Sequence, residues 1–206
     1  MSIWIRFTVA AMVLGVTSAA VASDDPRLYQ ASYDLESIQD YAGALGKMDQ
    51  IGGEQQGYVY HLRRGWLLYL LGRHGDSAAA YRAAVEAAPD SLEARQGLVL
   101  PLMAMKRWLD AEAVCVALLS AAPTDYRGNS RLAFILYSMG RYGAAADRYE
   151  VVLTLYPSDV EMRAGLGWSL LKQGKTAEAR SAFEAVLQVA PSHVSAREGL
   201  DAVASL

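Results

Sequence analysis

Four prolines, Pro89, Pro123, Pro157 and Pro191, stand at a constant spacing of 34 residues. Other positions recur in phase with them. Leu68, Leu102, Leu136 and Leu170 precede the four prolines by one fixed distance. Ser77, Ala111, Ala145 and Ala179 do so by another, and Tyr81, Cys115, Tyr149 and Phe183 by a third. Gly72, Lys106, Gly140 and Gly174 complete the pattern. Agreement at several positions in four successive units marks a repeat architecture, in which each unit buries its apolar face only against its neighbours. Within each unit the spacing of apolar residues is helical. The expected helices are Tyr58–Leu71 and His74–Ala87, Leu92–Met105 and Trp108–Ala121, Tyr126–Met139 and Tyr142–Leu155, and Val160–Gln173 and Thr176–Val189. Each Pro stops a second helix, because it has no N–H to give and crowds the preceding turn. Asp90–Ser91, Thr124–Asp125, Ser158–Asp159 and Ser192 follow the prolines and supply caps for the next helix.

Leu166–Gly167, Leu170, Gly174, Ala179, Phe183 and Pro191 fall where the tetratricopeptide repeat has its large and small residues, and Leu132–Ala133 through Pro157 match nearly as well. The chain from Tyr58 to Pro191 therefore resembles that family. The resemblance implies an all-α, right-handed superhelical solenoid of antiparallel helix-turn-helix repeats. Its four units would be 58–91, 92–125, 126–159 and 160–193. Residues 23–57 read as a divergent N-terminal capping unit, with Leu28, Ala31, Leu35 and Ile38 on one apolar stripe and Tyr41, Ala44, Leu45, Met48 and Ile51 on a second. Gly52 to Gly57 replaces the terminal Pro there. Residues 194–206 read as a closing helix, with Arg197 and Glu198 facing solvent and Leu200, Val203 and Leu206 covering the last core.

The small residues Gly65, Val99, Ala133 and Gly167 on first helices and Ser77, Ala111, Ala145 and Ala179 on second helices let helix backbones approach, with Tyr81, Tyr149 or Phe183 filling the space beside them. Two positions depart from the pattern. Arg64 stands where the later units have Leu98, Leu132 and Leu166, so it either weakens its junction or pairs with an acid of the leading segment. Pro101 falls inside a helix, with Gly97 four residues before it, and reads as a tolerated kink.

The first 22 residues differ from the rest. Arg6 precedes an apolar run from Phe7 to Val16, and Ala20–Val21–Ala22 forms an A-x-A cleavage signal followed by Asp24 and Asp25. The run is shorter than the ~20 residues of a spanning helix, so residues 1–22 are expected to be a cleaved secretory signal, with an uncleaved anchor as the alternative. The protein is then exported, to a periplasm, and not inserted in the membrane after cleavage. The net charge of −3 becomes −4 without Arg6, and charged residues are only 20% of the chain. That balance lacks the clustered cations expected of a nucleic-acid partner.

No catalytic or metal constellation is legible. His61, His74 and His193 fall in separate elements, and Cys115, the single cysteine, takes an aromatic position as a buried small hydrophobe. The expectation is a non-enzymatic protein with no cofactor. In the tetratricopeptide family the first helices line a concave groove, with groove residues one and four positions beyond the small residue. That resemblance implies Trp66 and Tyr69, Leu100 and Met103, Phe134 and Tyr137, and Trp168 and Leu171, with Leu62, Gln96, Ser130 and Ala164 toward the helix starts. Leu62 and Trp66 occupy places where some members hold a terminal carboxylate, so that clamp is absent, while Arg63, Arg127 and Arg131 are either solvated helix charges or a source of polar contacts along one edge. A row of this composition suits a peptide with large anchors. The expected function is a scaffold that binds a protein or peptide and serves envelope or export assembly, with self-association through exposed array ends open to it. The alternative is a carbohydrate-binding accessory of polysaccharide export.

Overall fold

The computed structural model describes residues 26–205. The expected export signal, the acids Asp24 and Asp25 that follow it, and Leu206 lie outside them. The described residues form eleven α-helices and no strand: α1 (Pro26–Ser37), α2 (Tyr41–Met48), α3 (Tyr58–Leu70), α4 (His74–Ala87), α5 (Leu92–Ala104), α6 (Trp108–Ala121), α7 (Tyr126–Ser138), α8 (Tyr142–Leu155), α9 (Val160–Lys172), α10 (Thr176–Val189) and α11 (Val194–Ala204). From α3 onward the second helix of each hairpin has the expected bounds, and each first helix stops one residue early. The fold is an all-α solenoid. Every helix packs on the next in sequence, and α3, α5, α7, α9 and α11 also touch one another in series. The even-numbered helices make no comparable contacts, so the odd-numbered ones form the tighter, inner layer.

The turn inside each hairpin needs a left-handed residue. Gly72, Gly140 and Gly174 provide it at φ 73°, 76° and 79°. Gln39 and Lys106 hold the same place at φ 63° and 56°, where a side chain costs about 1–2 kcal/mol. Between hairpins, the side chains of Ser91, Asp125 and Asp159 accept from the backbone N–H of Ala94, Gly128 and Met162. The last cap differs from expectation: it is His193, whose Nδ1 accepts from the Ala196 N–H at 3.1 Å, and not Ser192. An unexpected ladder satisfies the carbonyls of the repeat prolines. Arg95, Arg163 and Arg197, and Asn129 at 2.9 Å, donate to the carbonyls of Pro89, Pro157, Pro191 and Pro123 respectively. A side chain on each of α5, α7, α9 and α11 thus ties down the loop before it.

A second rule sets the spacing of the hairpins. The Tyr81 ring lies between two glycines: a Cβ at Gly65 would stand 2.9 Å from it, and one at Gly97 2.6 Å from its Cδ1 and Cζ. Phe183 sits in the same way between Gly167 and Gly199, and Tyr149 lies against Gly165. Gly97 thus makes room for a ring, beyond any relief it gives the turn before Pro101, which is buried inside α5. Where the previous unit has Cys115 in place of a ring, Arg131 stands in the place of the glycine. Cys115 and Met48 are fully buried, and the Cys115 thiol is pushed up to about 12 by burial.

The leading hairpin is fixed by charge as well as packing. Arg63 is 5% exposed. It donates to Ser32 Oγ from Nε at 3.1 Å and Nη2 at 3.0 Å, pairs with Glu36, and lies 3.7 Å from the centre of the Tyr33 ring. Its expected place on the groove edge is therefore wrong, because α1 covers it. Arg64 does meet an acid of the leading segment, Asp49, at 3.3 Å. Of the first apolar stripe, Ile38 is 72% exposed, because α1 ends at Ser37 and the chain turns away. The second stripe holds, with Ala44, Leu45, Met48 and Ile51 all buried, and residues 53–55 form a short 3-10 turn. At the other end α11 buries Val203 and part of Leu200, with Arg197 and Glu198 exposed.

Candidate functional site

Where a single row was expected, the inner layer carries two pockets between neighbouring helices, and a third at its edge takes in Gln96, Asp125, Tyr126, Arg127 and Tyr156. The larger, about 460 Å³, opens between α7, α9 and α11 and is lined by Phe134, Tyr137, Tyr149, Glu161, Ala164, Gly165, Trp168, Lys172 and Ser195. The other, about 200 Å³, lies between α3, α5 and α7, with Leu62, Trp66, Gln96, Leu100 and Arg127 joined by Tyr81, Glu93, Gly97 and Arg131. Of the expected groove residues, Tyr69, Met103, Ser130 and Leu171 line neither. Tyr69 stacks on Trp66 at 6.0 Å, the Ser130 hydroxyl turns back to the Arg127 carbonyl at 3.3 Å, and Met103 and Leu171 pack against the cores. Tyr137, four residues beyond Ala133, does line the larger pocket.

The aromatic walls are held in place from behind. Trp168 Nε1 donates to Ser195 Oγ at 2.9 Å, and its ring meets Phe183 edge-on at 5.4 Å. Tyr137 meets Tyr142 edge-on at 5.2 Å. Phe134 rests against Trp108 at 6.2 Å and is 48% exposed. Trp66 Nε1 donates to Glu36 Oε1 at 2.7 Å, so the same carboxylate orients Trp66 and Arg63. The rings are thereby preset, and a guest loses little entropy in ordering them.

The two pockets differ in polarity. In the smaller one Arg131 Nη1 donates to the Gln96 carbonyl at 2.5 Å, and its guanidinium is pulled below the usual arginine range by burial. Gln96 Nε2 donates to Asp125 at 2.9 Å and its Oε1 accepts from Arg127 at 3.3 Å. In the larger one Glu161 is engaged with His193 at 3.1 Å. The floor residues Tyr81 and Tyr149 belong to the outer helices, and the sequence reading missed them along with Arg131's burial. A signal was available: Gly97, Gly165 and Gly199 each follow an aromatic residue, Tyr81, Tyr149 or Phe183, by one fixed interval, and Arg131 follows Cys115 by the same one.

The three histidines lie apart from one another. His61 packs edge-on against Tyr60, His74 lies beside Tyr69, and His193 is a helix cap. Among the described residues no group of three or more His, Cys, Asp or Glu could hold a metal ion, and no helix is long and apolar enough to cross a membrane.

Profiles of the tetratricopeptide repeat match residues 29–92, 62–126 and 136–202. No curated protein matches the chain in sequence. Among solved structures, MamA from Desulfovibrio magneticus RS-1 superposes with a TM-score of 0.76 at 17% identity, over 82% of this chain and 96% of that one. A tetratricopeptide repeat protein from Parabacteroides merdae gives 0.77 at 15% identity, over 84% of this chain and 70% of that one. At such identities the likeness speaks for the fold alone.

Proposed function

The chain belongs to the tetratricopeptide repeat family, and from that premise we propose that it is an exported, non-enzymatic scaffold whose inner layer holds a protein or peptide. The observation that carries this reading is the pocket between α7, α9 and α11, where Phe134, Tyr137 and Trp168 converge around an opening of about 460 Å³. Pockets that take a specific guest have this size and are mostly apolar with a few placed polar groups. Preset aromatic anchors are also what dominate peptide recognition.

Export rests on the order of features in residues 1–25: a cation, a short apolar run, an A-x-A site and two acids. A periplasmic scaffold of this kind would serve assembly of envelope or export machinery. No observation in the groove favours the polysaccharide reading, since neither pocket wall carries a regular series of acids and amides. The reading is tested by recovering partners from envelope extract on the wild-type protein and on Phe134→Ala. Phe134 is half exposed, so its loss leaves the fold intact. Loss of a partner on the variant supports the groove, and undiminished recovery sinks it.

A further inference from the structure

The cap of α11 is unlike those of α5, α7 and α9. Ser91, Asp125 and Asp159 cap with oxygen, and α11 is capped by the His193 imidazole. Because Nδ1 accepts from the Ala196 N–H at 3.1 Å, it carries no proton. The neutral ring holds its proton on Nε2, which donates to Glu161 Oε1 at 3.1 Å. A second proton can enter only at Nδ1, where it turns the acceptor into a donor facing an N–H. Glu161 on α9 is the ionised group bonded to the ring, and Arg197, one turn into α11, is held on the Pro191 carbonyl. The helix that this cap starts forms one side of the aromatic pocket. Ser195 lines the opening and accepts from Trp168 Nε1 at 2.9 Å. Gly199 lies against the Phe183 ring, which meets Trp168 edge-on. α11 rests on α9 and α10, so fewer neighbours oppose its loosening than hold a helix inside the array.

We propose that His193 makes α11 a pH-sensitive clamp on the aromatic pocket: a proton at Nδ1 removes the cap, α11 loosens, and Trp168 loses the hydroxyl that orients it. Two effects compete. The added charge strengthens the Nε2 bond to Glu161, but that carboxylate is 71% exposed, and an ion pair so open to water contributes little. Against it stand the lost cap and a positive charge at a helix N-terminus, which the helix dipole opposes. Loosening is therefore the larger effect. Histidine side chains gain their proton between about pH 8 and pH 5, so the pocket wall is firm in neutral solution and slack in mild acid. The clamp governs a guest only on the groove reading above, whereas the switch itself is read with no guest present.

Amide hydrogen exchange of the purified protein is compared at about pH 7.5 and about pH 5, corrected for the pH dependence of free amides, with the Trp168 indole N–H followed by NMR. Protection from Ala196 to Val203 should fall about 3- to 10-fold in acid, while protection in α8 holds and the indole signal shifts with the same midpoint. His193→Asn keeps a capping oxygen that takes no proton, and should show neither change. Glu161→Gln removes the opposing ion pair and should enlarge the fall. Unchanged protection in the wild type, or an equal fall in His193→Asn, overturns the proposal. Protection that rises in acid in the wild type and not in Glu161→Gln also overturns it, because the ion pair then outweighs the cap. A loosened α11 with an unmoved indole overturns the link to the pocket. None of these outcomes decides whether the pocket holds a guest, which partner recovery on Phe134→Ala reads separately.

Discussion

Adding one methyl group at Gly97 tests the packing rule that positions both pockets. In an ordinary helix interior, Gly→Ala is favourable by about 0.5–1 kcal/mol, because it removes backbone freedom from the unfolded chain. At Gly97 the new carbon would stand 2.6 Å from two atoms of the Tyr81 ring, where carbon contacts are optimal at about 3.5–4 Å. The ring cannot step back, since Gly65 on α3 bounds its other face and its Cβ would be 2.9 Å away. Either α5 moves off α3 or the ring leaves its rotamer, and overpacking of this kind costs about 1–3 kcal/mol. The overpacking outweighs the propensity gain, so Gly97→Ala should lower stability by about 1–2 kcal/mol. Gly46, in α2 with no atom within 4 Å of a built Cβ, is the control, and Gly46→Ala should raise stability by about 0.5–1 kcal/mol. Urea unfolding followed by circular dichroism reads both, and a cycle with Tyr81→Ala should show coupling of more than about 1 kcal/mol, because the methyl is harmless once the ring is gone. If Gly97→Ala stabilises the protein as Gly46→Ala does, the ring-between-glycines account is wrong.

Lys106→Gly should raise stability by about 1 kcal/mol, because the residue sits at φ 56° where glycine carries no steric cost; urea midpoints check it. Arg63→Ala removes a buried guanidinium that holds Ser32 and Glu36 and should cost about 2–4 kcal/mol, with hydrogen exchange accelerating first in α1 and α2. Cys115 should resist iodoacetamide at pH 8 until the chain unfolds. Its thiol is raised from 9.0 to about 12 and Tyr149 from 10.0 to about 12, so both favour the folded state fully below the unfolded pKa. That contribution is lost as pH rises from about 9 toward 12, and unfolding midpoints measured across that range should fall.

The period of the prolines made the solenoid legible, because Pro, Gly and the capping residues act locally and each has one structural meaning. The second helix of each hairpin could be placed to the residue for that reason. The site was less legible, because it depends on pairs that meet only after the helices stack. Tyr81 with Gly97 and Cys115 with Arg131 are adjacent in space and distant in the chain, and the rule joining them emerges only when successive units are compared. The family resemblance implied the inner face for Trp66, Phe134, Tyr137 and Trp168, and all four line pockets among the first helices. Phase did not show that Tyr69 would stack back on Trp66, or that α1 would cover Arg63. Ile38 misled in the same way, since its stripe continued past the end of its helix.

The most direct test of the groove is site-specific photo-crosslinking in living cells of its source. A benzoylphenylalanine is placed at Phe134, on the pocket wall, and separately at Leu155, an exposed residue near the end of the outer helix α8. The account predicts a discrete crosslinked protein from position 134 and none from position 155. The same product from both positions, or a product from 155 alone, would contradict it.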